Sequence, residues 1–242
     1  MTPQNERLNK VLAQLGYGSR RSTDELIEAG RVAINGQQAE LGQRVAPNDT
    51  ITLDGKSIGR EKPRTVVLAF HKPRGVTTTK KDKYAKVTVM EYLPKQFQHL
   101  FPIGRLDRDS RGLLLFTNDG DLALKLEHPR YEHEKEYVVD VIPNKRCDLS
   151  IFKQDMIRMS KEVIDQEHQT KPAQVTQFTY DGKLKRGHAR IILKEGKKRQ
   201  IRHLLQALGY FVSDLQRVRI GSIRLGDIPE GKYVELKPEE LL

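Results

Sequence analysis

The residues best suited to chemistry lie in the fifteen-residue string GRLDRDSRGLLLFTN, from Gly104 to Asn118. Here Asp107 stands between Arg105 and Arg108, and an apolar run from Leu113 to Phe116 follows. The pattern predicts a charged loop entering a buried strand, with guanidinium groups that keep Asp107 ionised and acceptor-only. Such arginines could also hold the phosphates that flank a nucleotide. The alternative is an Asp/Ser turn before a core strand, the commoner meaning of such strings.

A second charged segment runs from Lys183 to Arg202, with nine basic residues and one acidic residue. It continues into EGKKRQIRHLLQALGY, whose apolar residues recur at i, i+3, i+4 and i+7 and predict a helix over Gln200–Leu208. Arg202 lies beside the apolar stripe near the start of this helix, where it can point across to another element. Taken alone, a basic run of this kind is usually a solvated face.

Two shorter strings complete the set. FHKPRGVTTTKK, from Phe70 to Lys81, contains a Lys-Pro-Arg-Gly turn signal, and HEKEYVVDV, from His133 to Val141, alternates like a half-buried strand. Each is unremarkable by itself. In the second string, Tyr137 would by pattern alone be a core or surface residue.

Taken together and in their order along the chain, the four strings resemble the rRNA pseudouridine synthase family, in the branch with an N-terminal S4 domain. The resemblance implies that Asp107 is the catalytic carboxylate and that Arg202 is its ionic partner. It also implies that Tyr137 stacks under the target uracil and could help remove the C5 proton. It leaves open whether Asp107 attacks the sugar or ring covalently or removes a sugar proton. One departure is His203-Leu204, where a second basic residue and a Met are expected.

The family isomerises uridine within RNA, so the target nucleotide must leave the folded RNA. Charge and resemblance together predict RNA contacts in this part of the chain from Lys72, Arg74, Arg105, Arg108, Lys135, Lys197, Lys198 and Arg199. By analogy with a related branch, Arg108 also fills the space that the flipped base leaves. No redox step occurs and no group leaves the RNA, so we expect neither a metal nor an organic cofactor. His128 and His133 lie in a Pro-containing loop and are expected to be solvated.

The first sixty residues predict a separate small domain. Leu8, Val11, Leu12 and Leu15 share one helix face, and Ser19 is a suitable N-cap for a second helix that stops at Gly30. Strand pairs follow around Asn35-Gly36 and Asp54-Gly55. The stretch of about residues 7–58 resembles the S4 domain, an RNA-binding fold. Arg20 and Arg21, directly after the cap, are therefore predicted RNA contacts; the alternative is a helical hairpin with solvated arginines.

Composition agrees with these expectations but adds little. The 242 residues carry a formal net charge of +11, which favours a polyanionic partner. The single cysteine excludes an internal disulfide framework. Residues 1–10 do not resemble a secretion signal and no apolar run could span a bilayer, so we expect a cytoplasmic protein without membrane contact. The default oligomeric state is a monomer.

The sequence as a whole predicts an α+β protein. We expect an S4-like domain over 1–60 (two helices plus a small sheet), a linker over 61–65 and a catalytic domain over 66–242. The catalytic domain should hold a mixed, largely antiparallel sheet flanked by helices. Its predicted strands and helices are Val66–Phe70, Gly112–Thr117, Tyr137–Val141, His188–Leu193, Gly120–Glu127 and Gln200–Leu208.

The predicted function is the isomerisation of uridine to pseudouridine in rRNA, with large-subunit rRNA favoured over small-subunit rRNA and tRNA. One alternative is a non-catalytic rRNA-binding assembly factor on the same fold. Another is an S4-linked RNA methyltransferase, which would need a Gly-rich loop after a strand, and no GxGxxG string occurs.

Overall fold

The computed structural model describes residues 5–80, 83–164 and 170–237. The chain divides into two compact units, which are treated separately below. The N-terminal unit comprises Met1–Thr65 with Asn118–Gly120, and the larger unit comprises Val66–Thr117 with Asp121–Leu242. In the described ranges no helix combines the length and the apolar character needed to cross a bilayer.

The N-terminal unit contains two helices and two small sheets. Its elements are β1 (Glu6–Arg7), α1 (Leu8–Gln14), α2 (Arg20–Glu28), β2 (Val32–Ile34), β3 (Gln37–Gln38), β4 (Arg44–Val45), β5 (Ile51–Leu53) and β6 (Lys56–Ser57). β1 pairs with β4, and the other sheet has the order β3-β2-β5-β6. Leu8, Leu12 and Ile27 from the helices pack against Val32 and Ile51 from the strands to form the core.

The predicted start of α2 and both predicted turns of the N-terminal unit are confirmed. The Ser19 hydroxyl accepts a hydrogen bond from the Ser22 N–H at 3.1 Å, which caps the helix. Asn35 and Gly36 both have positive φ angles, 51° and 83°, as a tight hairpin turn of the I′ type requires. The Asp54-Gly55 turn has the same pair of signs.

The larger unit is built on one twisted sheet. Its strands are β7 (Val67–Lys72), β8 (Phe101–Ile103), β9 (Arg111–Thr117), β10 (Lys135–Pro143), β11 (Gln174–Asp181), β12 (Arg186–Leu193), β13 (Tyr210–Ile220), β14 (Ile223–Arg224) and β15 (Tyr233–Leu236). The order is β11-β12-β10-β13-β9-β7-β15, with β14 added to β13 and β8 to β9. β13 and β9 run parallel and the other named strands pair antiparallel, which confirms the predicted α+β class with a mixed, largely antiparallel sheet.

Three α-helices and three 3-10 turns complete the larger unit. They are α3 (Gly120–Glu127), α4 (Leu149–Lys161), α5 (Gln200–Ala207) and the 3-10 turns Val89–Tyr92, Lys95–Phe97 and Pro129–Tyr131. α4 and α5 supply Phe152, Met156 and Leu204 to one apolar cluster with β10, β12 and β13. Strands β7 and β9 are buried on both faces, since their alternate residues join two different clusters. These strands form the rigid support for the loops described next.

Candidate active site

The loop that carries Asp107 joins β8 to β9 and is fastened to the turn that follows β7. The hydrogen bonds that hold it include Thr78 Oγ1 to Leu106 O (2.8 Å), Gly75 N–H to Arg108 O (2.7 Å) and Lys72 Nζ to Ser110 O (2.7 Å). The Leu106 side chain is buried in the adjoining core, which anchors the loop from within. The Lys-Pro-Arg-Gly turn therefore positions the segment around Asp107.

The structure corrects the prediction that Lys72 contacts RNA. Its side chain is fully buried, and its ammonium donates to the carbonyl oxygens of Pro73 (2.9 Å) and Ser110 (2.7 Å). Burial lowers the pKa of Lys72 to about 8, against the attraction of Asp107 and Asp109, which acts to raise it. The expectation that Lys72 contacts RNA is wrong for this conformation, because protein encloses the group that would bind a phosphate.

Gly112 allows β9 and β13 to approach closely. Its φ is +109°, and a Cβ built on it would lie 2.2 Å from the backbone oxygen of Arg217, its pairing partner on β13. A residue with a side chain cannot occupy this position without moving the strand. The glycine of the string GRLDRDSRG thus places β13 directly against the Asp107 loop.

Arg217 is a functional candidate that sequence reasoning missed. Its side chain is 3% exposed, and its Nε donates to the carbonyl oxygen of Leu113 at 2.8 Å. The string QRVRIG offers Arg217 and Arg219, and nothing in its spacing says which arginine is buried. In the structure Arg219 forms ion pairs with Glu134 and Glu136 instead.

A cleft of about 840 Å³ opens beside the Asp107 loop. This volume lies within the usual range of small-ligand sites and accommodates a nucleotide. The structure brings seven of the sequence-predicted residues to its walls: Arg105, Asp107, Lys135, Tyr137, Lys197, Lys198 and Arg199. Arg217 lies on the same walls.

Two carboxylates of the Asp107 loop face two arginines, and of these four residues Asp107 and Arg199 lie on the cleft wall. The Asp107 side chain is one third exposed, and its Oδ2 lies 3.9 Å from Arg199 Nη1. Arg199 Nη1 is also 3.2 Å from Asp109 Oδ1. Arg202 Nη2 lies 3.4 Å from Asp109 Oδ2 and donates to the Asp109 carbonyl oxygen at 3.1 Å.

This geometry corrects the expected pairing of Arg202 with Asp107. Asp109 is the ionic partner of Arg202, and Arg199 is the arginine that reaches Asp107. Arg202 is held elsewhere because its Nη1 donates to the Val212 carbonyl oxygen at 3.2 Å and its side chain is 9% exposed. Arg202 therefore supports the loop behind Asp107, while its positive charge still acts on Asp107 from a distance.

The electrostatics of this cluster follow from burial and opposite charges. Burial acts to raise the pKa of Asp109, but the Arg202 and Arg199 guanidiniums outweigh it and hold that pKa below its usual value. Burial lowers the pKa of Arg202, against the attraction of Asp109. Arg199 has a φ of 55°, a left-handed conformation that is uncommon for a residue with a side chain and is concentrated at functional sites.

Tyr137 and Lys135 reach the cleft from β10, and both are half-buried. Tyr137 lies directly opposite Arg217 in the β10–β13 ladder, so the two side chains share one face of the sheet. Burial lowers the pKa of Lys135, the charge of Arg217 lowers it further, and Glu127 opposes both.

The other predicted contacts lie outside this cleft. Arg108 is exposed on the Asp107 loop itself, where its Nε donates to Gly75 O at 3.2 Å. Arg74 is exposed on the turn after β7, where its Nη1 donates to Ser213 O at 2.9 Å. Arg20 and Arg21 are the first two residues of α2 in the N-terminal unit, and both are exposed. Lys81, the last residue of the string that begins at Phe70, lies outside the described residues.

Comparison with known proteins identifies the family. The sequence profile described as RNA pseudouridylate synthase matches residues 66–207, and the S4 domain profile matches residues 6–51. The chain therefore belongs to the RNA pseudouridine synthase family of isomerases, which confirms the predicted family and enzyme class.

Individual relatives agree over nearly the whole chain. It is 36% identical over 239 residues to the ribosomal large subunit pseudouridine synthase B of Bacillus subtilis, covering 98% of this chain and 94% of that protein. It is also 36% identical to the dual-specificity RNA pseudouridine synthase RluF of Escherichia coli K12, covering 98% and 77%. A crystal structure of a pseudouridylate synthase shares the fold, with a TM-score of 0.66, 23% identity and 97% coverage of both chains.

Proposed function

We propose that this protein converts uridine to pseudouridine in ribosomal RNA, with Asp107 as the catalytic carboxylate. The observation that carries the proposal is a one-third-exposed aspartate on the wall of a cleft of about 840 Å³, faced by Arg199 and accompanied by Tyr137. A pure RNA binder has no use for an ionised carboxylate at a site that must accept phosphates, because the two would repel.

Different residues on the cleft walls are suited to bind different parts of a nucleotide. Arg105, Lys197, Lys198 and Arg199 are exposed cations suited to the phosphates on either side of an extruded nucleotide. Tyr137 presents a ring on which the uracil can stack, and stacking offsets part of the few kcal/mol needed to unstack the base. Arg108, exposed on the same loop, is suited to fill the space that the base vacates.

The chemistry needs no external reagent. The bond between uracil N1 and sugar C1′ breaks, the ring turns, and C5 bonds to C1′ while the C5 hydrogen leaves as a proton. Asp107 either bonds covalently to the substrate or removes a sugar proton, and Tyr137 assists the loss of the C5 proton.

We further propose that the substrate is large-subunit rRNA. Support comes from the names of the relatives that match nearly the whole chain, such as the large-subunit enzyme of Bacillus subtilis. The S4 domain supplies a second surface for structured RNA, with Arg20 and Arg21 at the start of α2 as the proposed contacts.

The test incubates the protein with unmodified transcripts of large-subunit rRNA, small-subunit rRNA and tRNA, followed by pseudouridine mapping. We expect a product in the large-subunit transcript, and we expect Asp107→Asn to abolish it while the dissociation constant for RNA stays unchanged. Asp227→Asn, at an exposed aspartate of the same unit, is the matched control and should keep full activity. Undiminished product from Asp107→Asn would remove Asp107 from its role. Tight binding of rRNA without any product from the wild type would favour the non-catalytic assembly factor.

A further inference from the structure

Arg217 is a buried cation on the wall of the cleft, and the roles assigned above leave it unused. Its Nε is bound to the Leu113 carbonyl oxygen, and its Nη2 is buried without a hydrogen-bond partner among the described residues. The ion pairs found in the described part of the chain do not include Arg217. A guanidinium remains protonated at any physiological pH, so this positive charge is retained in the protein interior.

The surroundings of Arg217 add further positive charge. Its charge acts on both Lys72 and Lys135, where it lowers the lysine pKa in each case. A buried cation next to other cations is unfavourable unless something nearby balances it. The carboxylates of Asp107, Glu127 and Glu195 also line the cleft, but none of the ion pairs described above reaches Arg217. The cleft wall that carries Arg217 is therefore suited to a group that is, or becomes, negatively charged.

The position of Arg217 relative to the base is fixed by the fold. Arg217 stands opposite Tyr137 across the β10–β13 ladder and opposite Gly112 across the β9–β13 pairing. A uracil stacked on Tyr137 therefore enters the same cleft whose wall carries Arg217. Gly112 brings the two backbones together, and both Tyr137 and Arg217 are held on paired strands and not on a loop.

We propose that Arg217, together with Lys135, stabilises the negative charge that the uracil ring carries while it is detached from the sugar. The proposal rests on the function proposed above. When the C1′–N1 bond breaks, its electron pair leaves with the uracil, and the charge spreads over N1, O2 and O4. C5 then supplies the electron pair for the new bond to C1′, its hydrogen leaves as a proton, and N1 takes up a proton.

The same charge develops whichever way Asp107 acts. If the carboxylate bonds to C1′ or removes a sugar proton, the uracil departs as an anion. If it adds to the ring, the electron pair moves onto the O4 enolate. In each route, a fixed cation on the cleft wall stabilises the charged species more than the neutral uridine, which is how preorganised groups accelerate a reaction.

The experiment varies how readily the uracil ring accepts negative charge. Transcripts of the RNA that the wild type modifies are made with uridine or with 5-fluorouridine, whose fluorine withdraws electrons and stabilises the ring anion. Cleavage of the bond between N1 and C1′ is followed in a single turnover at saturating enzyme, because the fluorinated ring has no C5 hydrogen to lose and cannot complete the last step. RNA affinity is measured separately. Modification of the uridine transcript by the wild type first establishes the proposed function, so its failure is recognised before Arg217 is tested.

For Arg217→Met we expect the rate on the uridine transcript to fall about 100-fold with unchanged RNA affinity. The fall on the 5-fluorouridine transcript should be about tenfold smaller, since that ring depends less on the guanidinium. Arg217→Lys, which keeps the charge, should recover part of the rate. The matched control is Arg146→Met, at an exposed arginine of the same unit, which should behave as wild type on both transcripts.

An equal loss on both transcripts would overturn the proposal and leave Arg217 a structural residue. If Arg217→Met does not fold, as judged by circular dichroism, Lys135→Met carries the test with Lys153→Met, at an exposed lysine of α4, as its control. Lys135→Met should show a smaller loss with the same difference between transcripts. Absence of that difference would likewise reject the proposal.

Discussion

Basic side chains with proposed or structural roles are exposed at the start of α2 in the N-terminal unit, but several are buried around the Asp107 loop in the larger unit. In the N-terminal unit, Arg20 and Arg21 are exposed at the first turn of α2. In the larger unit, Lys72, Arg202 and Arg217 are buried, and each donates to backbone carbonyl oxygens of the Asp107 loop or its neighbouring strands. Exposed cations capture phosphates at little cost, whereas buried ones fix geometry and set the local potential.

The largest expected effect comes from a substitution at Gly112, where β9 and β13 meet beside the buried Arg217. Gly112→Ala places a Cβ 2.2 Å from the Arg217 backbone oxygen at a φ of +109°, so β9 and β13 must separate. We expect the free energy of unfolding to fall by about 3 kcal/mol or more and activity to be lost. Urea denaturation and the pseudouridine assay measure both quantities.

The matched control for Gly112→Ala is Gly226→Ala. Gly226 also has a positive φ, 55°, but a Cβ built there meets nothing within 4 Å. Its substitution should therefore cost only the backbone term of about 1 kcal/mol and leave activity intact. Equal losses for the two variants would show that close approach of the strands is not what Gly112 provides.

An intermediate effect is expected at Lys72, through the pH dependence of stability. The folded pKa of about 8 lies below the ordinary value of 10.5, so between these pH values the unfolded chain binds more protons at Lys72. The charged form is thus destabilising in the fold, and stability recovers as pH rises from 8 towards 10.5. Lys72→Met lacks this recovery, and the wild type should gain about 2 kcal/mol relative to it between pH 8 and pH 10.

Urea denaturation followed by circular dichroism at pH 8, 9 and 10 measures the Lys72 effect. Lys153→Met serves as control, because Lys153 is exposed on α4 and its difference from wild type should stay constant with pH. A constant difference for Lys72→Met as well would mean that the ammonium is not desolvated in the folded protein.

Sequence reasoning succeeded where the signal is local. The residues Gly120–Glu127 form the helix that was predicted, and Asn35-Gly36 forms the expected turn, because caps, glycines and short periodic runs act over a few residues. α4 was not predicted, although Asp148 caps it and Phe152, Met156 and Met159 recur at helical spacing. The edge strand β11 was missed because a bulge between Val175 and Gln177 breaks its alternation of apolar and polar residues.

The candidate site was predictable in part, for a reason visible in its ion pairs. The string GRLDRDSRG identified the acidic loop, but it could not say which of Asp107 and Asp109 meets Arg202, since that choice depends on segments about ninety residues apart. Likewise, no local pattern distinguishes the enclosed ammonium of Lys72 from the exposed guanidinium of Arg74 two residues later. Long-range packing decides which cations bind RNA and which support the loop.

The smallest expected effect concerns the exposed arginines of the N-terminal unit, Arg20 and Arg21. Replacing Arg20 and Arg21 together by Gln removes two solvated charges at a helix start whose free N–H groups already favour an anion. We expect weaker rRNA binding and a plot of log affinity against log salt that is shallower by about two, with unchanged turnover at saturating enzyme. The double variant Arg7→Gln with Lys56→Gln removes the same charge from other exposed sites of the N-terminal unit. If this control changes the salt slope equally, the general charge of the unit and not the start of α2 attracts the RNA. If turnover still falls when excess enzyme saturates the RNA, the exposed arginines do more than bind phosphate.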